Sequence, residues 1–267
     1  MVATATRQTV GQKLQTDLRL TPRILLEALV GLDWLRLRTS AVYWGIGVPQ
    51  GSGAPVVLVP GFLGTDRYLM EMFHWLRRIG YRSYYSGIGR NAECPDLLLA
   101  RLLETVGGVY TEAGQRVHLI GHSFGGTITR VAAAHRPDLV AQVITLGSPI
   151  SSARINPAVM AAVALVRGRI HRGNNGRPPT CYTEACSCTF VSSVGEVPPP
   201  TVKRACIIAK GDGVVDERCC RDFDPSCNIV VKGTTHLGLP FNQVVYRELA
   251  RLLSETTRCC ASRRASA

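Results

Sequence analysis

Ser123 sits in "VHLIGHSFGGTITR", Val117 to Arg130, between Gly121 on one side and Gly125 and Gly126 on the other. The apolar run before it reads as a buried strand, and Thr127 to His135 after it reads as a helix. A serine on so tight a strand-to-helix turn is pushed into the open, which is the setting of a nucleophile elbow, with Gly121 and Gly125 as the elbow glycines. A serine hydroxyl attacks poorly unless a base takes its proton. That base needs a carboxylate to hold its tautomer. The oxyanion that develops needs backbone N–H donors.

Among six histidines, His236 fits the base best. It lies in "VVKGTTHLGLP", after the strand "CNIVV" and just before the last helix. A loop leaving the carboxyl end of a parallel strand opens on the same rim as Ser123. His118 falls inside a strand, His74 and His135 in helices, His171 in the stretch read below as an insertion, and His122 is bound to the elbow itself. The acid is expected between Ser123 and His236 in chain order. "KGDGVVDER" offers Asp212, flanked by glycines near a strand end, with Asp216 as the alternative acid. The oxyanion donors are expected from the backbone N–H groups of Phe124, beside the serine, and Phe62, in the loop "VPGFLGT".

The elements that must position these groups alternate. Strands are expected at "VVLV", "YRSYYSGI", "VHLI", "VAQVITL", "ACIIA" and "CNIVV". Helices are expected over Asp66–Ile79, Pro95–Val106, Thr127–His135 and "FNQVVYRELARLL". This order predicts an α/β fold with a mostly parallel sheet covered by helices on both faces. Residues 1–53 read as an N-terminal helical leader, and 54–267 as the main domain. Within the leader, Leu25, Ala28, Leu29, Leu32 and Leu35 share one apolar face of an amphipathic helix, interrupted by Glu27, Asp33 and Arg36. About 150–200 is an insertion over the sheet, expected as a cap or lid.

Composition bounds the rest. The 267 residues are 46% hydrophobic and 19% charged, which excludes a wholly disordered chain. No apolar run is long enough for a membrane-spanning helix, and no signal peptide is recognisable. Ten cysteines, by contrast, leave an oxidising compartment open. The net charge of +12 suits a solvated basic surface or an anionic membrane surface. No helix-turn-helix, zinc finger or RNA-binding strand motif accompanies it. Cys181, Cys186 and Cys188 lack the usual zinc spacing, so no metal is expected. The oligomeric state is left open.

Taken in order, "VVLVPGFLG", "VHLIGHSFGG", "RPDLVAQVITLGSP", "GDGVVD" and "GTTHLGL" resemble α/β-hydrolase serine esterases and lipases, above all small bacterial triacylglycerol lipases. The resemblance covers roughly residues 55–253 without the insertion. It implies the triad Ser123, His236 and Asp212, oxyanion amides at Phe62 and Phe124, and ester hydrolysis through an acyl-enzyme with no cofactor. It also implies an apolar ester or lipid substrate. Pro60-Gly61 stands where many lipases carry His-Gly, and the insertion is longer than the smallest lipases have. A bridge from Cys181, Cys186 or Cys188 to Cys219, Cys220 or Cys227 would tether that insertion. An acyltransferase or amidase shares the acyl-enzyme step, and a non-catalytic lipid- or partner-binding protein shares the fold.

Overall fold

The computed structural model describes the backbone of residues 14–150, 152–173 and 186–265, and within these the side chains from 15 to 255. Six strands form one parallel sheet: β2 (Pro55–Val59), β3 (Arg82–Tyr85), β4 (Val117–His122), β5 (Val140–Leu146), β7 (Lys203–Ala209) and β8 (Asn228–Val231). Their spatial order is β3-β2-β4-β5-β7-β8. β2, β4 and β5 are buried along their whole length. That burial explains their continuous apolar sequence, since neither face meets water.

The two-residue period of a strand divides the core. Val56 and Leu58 point into one cluster with Trp75, Leu76 and Tyr246, from α2 (Met70–Arg78) and α7 (Gln243–Ala265). Val57 and Val59 point into the other, with Leu98, Leu102 and Ile128 from α3 (Pro95–Ala113) and α4 (Phe124–His135). α3 runs past the expected end at Val106, through Gly107 and Gly108, to a left-handed Gly114. α4 starts at Phe124, directly after Ser123, rather than at Thr127.

Strand order also fixes where a site can form. From β2 the chain moves outward to β3, then returns to place β4 on the other flank of β2. This reversal opens a crevice beyond the carboxyl ends of β2 and β4. The residues that follow those ends are Pro60-Gly61-Phe62 and Ser123.

The leader departs from its expected form. Residues Leu18–Leu29 form a 3₁₀ helix containing Pro22, followed by α1 (Val30–Arg38). Leu25, Ala28, Leu29, Leu32 and Leu35 all face outward, and Leu25 is 78% exposed. Glu27 and Asp33, which interrupt the apolar pattern, are the residues turned inward, 5% and 6% exposed. The periodicity does mark one face, but hydrogen-bond donors on the body recruit the opposite one, as described below. The start of the leader, β1 (Leu14–Thr16), pairs with β6 (Ala153–Ile155).

The insertion contains β6, α5 (Pro157–Arg172), which buries no residue, and α6 (Thr189–Ser193). α6 docks through Phe190, whose ring lies edge-on to Phe124 at 5.7 Å. No disulfide joins two described residues. Cys188 packs with the α3–α4 cluster, whereas Cys219 and Cys220 belong to a separate cluster with Ile208 and Val215. The expected bridge is therefore not formed from Cys186 or Cys188. Cys181, Cys259 and Cys260 lie outside the described side chains.

A Cβ on Gly125 would run into the Pro60 carbonyl oxygen and come within 2.5 Å of that of Val59. Neither is a flexible side-chain tip. We expect Gly125→Ala to destabilise the fold by about 1–3 kcal/mol or more, read as a lower urea midpoint. An unchanged midpoint would contradict the close approach described here.

Candidate active site

Ser123 occupies φ 51°, ψ −130°, a conformation L-residues rarely adopt. Such strain costs of order 1–3 kcal/mol and persists only where surroundings enforce it. Here the Ser123 N–H donates to Leu146 O (2.8 Å), and its carbonyl accepts from Gly126 N–H (2.9 Å). The glycines let strand and helix touch. A Cβ on Gly121 would collide with Gly126, and one on Gly126 with the Ser148 hydroxyl. The serine is half-buried at the mouth of the switch-point crevice.

His236 and Asp212 come together from loops after β8 and β7. The His236 Nδ1–H donates to Asp212 Oδ2 at 2.7 Å, and both residues are almost wholly buried. Asp212 Oδ1 accepts from the Val214 and Val215 N–H groups, both at 2.8 Å, which fixes the carboxylate's orientation. Asp216 is committed elsewhere. It accepts from the Arg218 guanidinium (2.6 Å) and caps the 3₁₀ turn Glu217–Cys220. The His236 ring lies over Gly147, where a Cβ would stand 3.1 Å from Nδ1. Gly147 follows Leu146, whose carbonyl holds the Ser123 amide. The structure thus brings His236 and Asp212 into direct contact and sets the ring beside the elbow. No hydrogen bond joins the Ser123 hydroxyl to the ring among the described residues; in enzymes generally, such contacts can be long until substrate binds.

Four residues that pattern reading missed hold these parts. Glu27 accepts the N–H groups of His236 (3.1 Å), Leu237 (2.7 Å) and Gly213 (3.2 Å). The Tyr68 hydroxyl donates to Leu237 O at 2.9 Å. His122 Nε2–H donates to His236 O at 3.0 Å. Asn91, fully buried, braces the loop after β2: its side-chain amide donates to Pro60 O (2.8 Å), and its backbone pairs with Leu63 and Gly64. That bracing falls on the Pro60-Gly61 turn itself. The same loop presses on the elbow, since a Cβ on Gly61 would lie 2.9 Å from Ser123 Cβ. The N–H groups of Phe62 and Phe124 donate to no protein acceptor among the described residues. Phe124 is the first helical residue of α4, where an N–H has no intrahelical partner. The sequence did carry one signal for Glu27: an acid set among leucines.

Electrostatics sharpen the contrast between the two neighbouring imidazoles, whose ring centres lie 5.0 Å apart. Burial pulls the His236 pKa down, but the charge and hydrogen bond of Asp212 outweigh it and lift the pKa above the ordinary histidine value. Burial and the charge of His236 push His122 down to about 3. His122 is therefore neutral, with its single proton on Nε2. Among the described residues, no group of three or more His, Cys, Asp and Glu side chains is arranged to hold a metal ion.

The sheet order, the elbow and the loop positions define the α/β-hydrolase fold. A lipase from Bacillus licheniformis superposes with a TM-score of 0.55 at 18% identity, over 78% of this chain and 95% of that one. A monoacylglycerol lipase from Paleococcus ferrophilus gives 0.53 at 19%, over 78% and 97%. In sequence, residues 96–164 match the PGAP1-like alpha/beta domain. A triacylglycerol lipase of Burkholderia plantarii is 36% identical over 130 residues, 45% of this chain and 36% of that protein. One from Vibrio cholerae is 34% identical over 126 residues, 45% and 38%. The chain thus spans well under half the length of these curated relatives.

His118, on β4, is pushed by burial to about 4, and His122 to about 3, from an ordinary 6.5. An unfolded chain binds protons at these sites first as pH falls, so their contribution to stability is present above about 6.5 and is lost toward 3. His236 has the opposite sign, and its contribution changes only above 6.5, so it does not offset this loss. We expect the melting temperature to fall steadily between pH 6.5 and 4. A flat or rising profile would contradict the neutral buried imidazoles.

Proposed function

We propose that this protein is a serine hydrolase that cleaves apolar carboxylic esters through an acyl-enzyme. The observation that carries the reading is a strained serine at the switch-point crevice beside an imidazole whose Nδ1–H is fixed on a buried carboxylate. In this mechanism Ser123 Oγ attacks the ester carbonyl while His236 Nε2 takes the hydroxyl proton. Asp212 stabilises the imidazolium and holds its orientation. The N–H groups of Phe62 and Phe124 stabilise the negative oxygen of the tetrahedral intermediate. His236 then returns the proton to the departing alcohol. Water, deprotonated by the same imidazole, releases the acid and restores Ser123. No cofactor enters these steps. The half-buried Phe62 and Phe124 and the exposed Leu63 and Leu237 suit an acyl chain. The matched relatives are triacylglycerol lipases, an activity that agrees in kind. A p-nitrophenyl ester series tests the proposal. We expect Ser123→Ala to lose at least about 10³-fold in kcat with an unchanged melting temperature. Full activity in that variant would refute the assignment.

The same proposal extends to where substrate is met, an anionic lipid surface. Leu18, Leu25, Leu26 and Leu32 are each about half exposed or more on the leader, a concentration that marks interaction surfaces. The leader's acids Asp17, Glu27 and Asp33 are buried, while Arg19, Arg23 and Arg36 are exposed. Basic, apolar faces of this kind bind anionic membranes. We expect co-sedimentation with phosphatidylglycerol vesicles, weakened by salt and by the pair Leu25→Ser and Leu29→Ser. No binding, or binding indifferent to that pair, would remove this extension.

A further inference from the structure

The leader's inward face has a bearing on the chemistry itself. One carboxylate, Glu27, collects three peptide N–H groups from two loops: His236 and Leu237 from the loop bearing the ring, and Gly213 from the loop bearing Asp212. The adjoining amides are otherwise occupied or open. Val214 and Val215 serve Asp212, and the Leu237 carbonyl serves Tyr68. A second leader acid supports the same loop, because Asp33 Oδ2 accepts the Thr234 hydroxyl at 3.2 Å. Asn156 adds a third tie, its amide donating both to Leu20 O (2.9 Å) and to Gly213 O (3.0 Å).

We propose that Glu27 is a positioning residue for the reaction, locking the spacing of His236 and Asp212 by gripping the backbone on which each is mounted. This role rests on the ester-hydrolase reading above. It also follows from chain connectivity. The His236 ring pivots on its own Cα, whose N–H is bonded to Glu27 and whose C=O is bonded to His122. The imidazole is thereby held from both sides of its peptide, so its Nδ1 meets Asp212 without a search. Glu27 makes no hydrogen bond to Ser123 among the described residues and acts through the base and the acid. Its charge also works on the ring. Asp212 and Glu27 both favour the imidazolium, and the neighbouring His122 is the third titratable group against it.

Glu27→Gln keeps the size, removes the charge, and turns an amide NH₂ toward one of the three donors. Glu27→Ala removes every acceptor. With a soluble short-chain ester, we expect kcat to fall up to about 100-fold in Glu27→Ala, with KM within about twofold and a smaller loss in Glu27→Gln. In both variants the acid limb of the kcat/KM profile should move to lower pH, because removing the Glu27 charge disfavours the imidazolium and lowers the His236 pKa. The Nδ1–H proton of His236 gives a readout free of turnover: its downfield NMR resonance should be sharp in the wild type and shifted or broadened in Glu27→Gln. A variant that melts earlier yet keeps that resonance, kcat and the acid limb would make Glu27 merely structural and overturn the proposal. Should Glu27→Ala not fold, Glu27→Gln decides alone by the same readouts. A wild type that hydrolyses no ester would instead refute the hydrolase reading, while the NMR comparison would still decide whether Glu27 orders the pair.

Discussion

A carboxylate and an imidazole stand 2.7 Å apart, both almost wholly buried. Removing one partner of such a buried pair typically costs about 3–5 kcal/mol, because the other is left uncompensated. The pair therefore tolerates little freedom in the loops that carry it. Much of the architecture around the carboxyl edge of the sheet can be understood as restraint on those two loops. Val214 and Val215 orient the acid, and His122 and Tyr68 hold the carbonyls of the base loop. Glu27 and Asp33 reach in from the leader to hold its donors. The leader is part of the site in this sense, although its apolar side chains face away.

The sheet supplies the other half of the constraint. Parallel strands β2 and β4 end side by side, and the reversal of strand order opens a crevice beyond them. For Ser123 to project into it, β4 and α4 must nearly touch at Gly121, Gly125 and Gly126. The cost is a serine in a disfavoured conformation, offset by hydrogen bonds on both its peptide groups. The neighbouring loop, braced by Asn91, leaves the Phe62 N–H available beside the elbow. Two closely packed elements thus set the Ser123 hydroxyl and the backbone N–H groups of Phe62 and Phe124 at one rim.

The parts readable from sequence were those with local signatures. Glycines flanking Ser123 advertise a close approach, chain order selects His236 and Asp212, and unbroken apolar runs mark buried strands. The supporting residues had no such signature, because their partners lie far away and are peptide groups. Glu27 meets His236 across 209 positions, Tyr68 meets Leu237 across 169, and His122 meets the His236 carbonyl across 114. Any residue type offers the same N–H or C=O, so no pattern at the receiving end reveals the contact. The leader misled for a related reason. Its leucines do repeat along one face, but periodicity cannot say which side meets the body when buried donors favour the acids. Segment boundaries shifted likewise: the helix expected to end at Val106 continues as α3 to Ala113, with Val106 and Val109 buried against the core.

The central claim is that Ser123 is a nucleophile made reactive by the His236–Asp212 pair. Labelling with a fluorophosphonate, followed by peptide mass mapping, tests it without knowledge of the natural substrate. The account predicts one adduct, on Ser123, forming quickly in the wild type and at least about 10²-fold more slowly in His236→Ala. An adduct on another residue, or equal labelling rates in the two proteins, would contradict it.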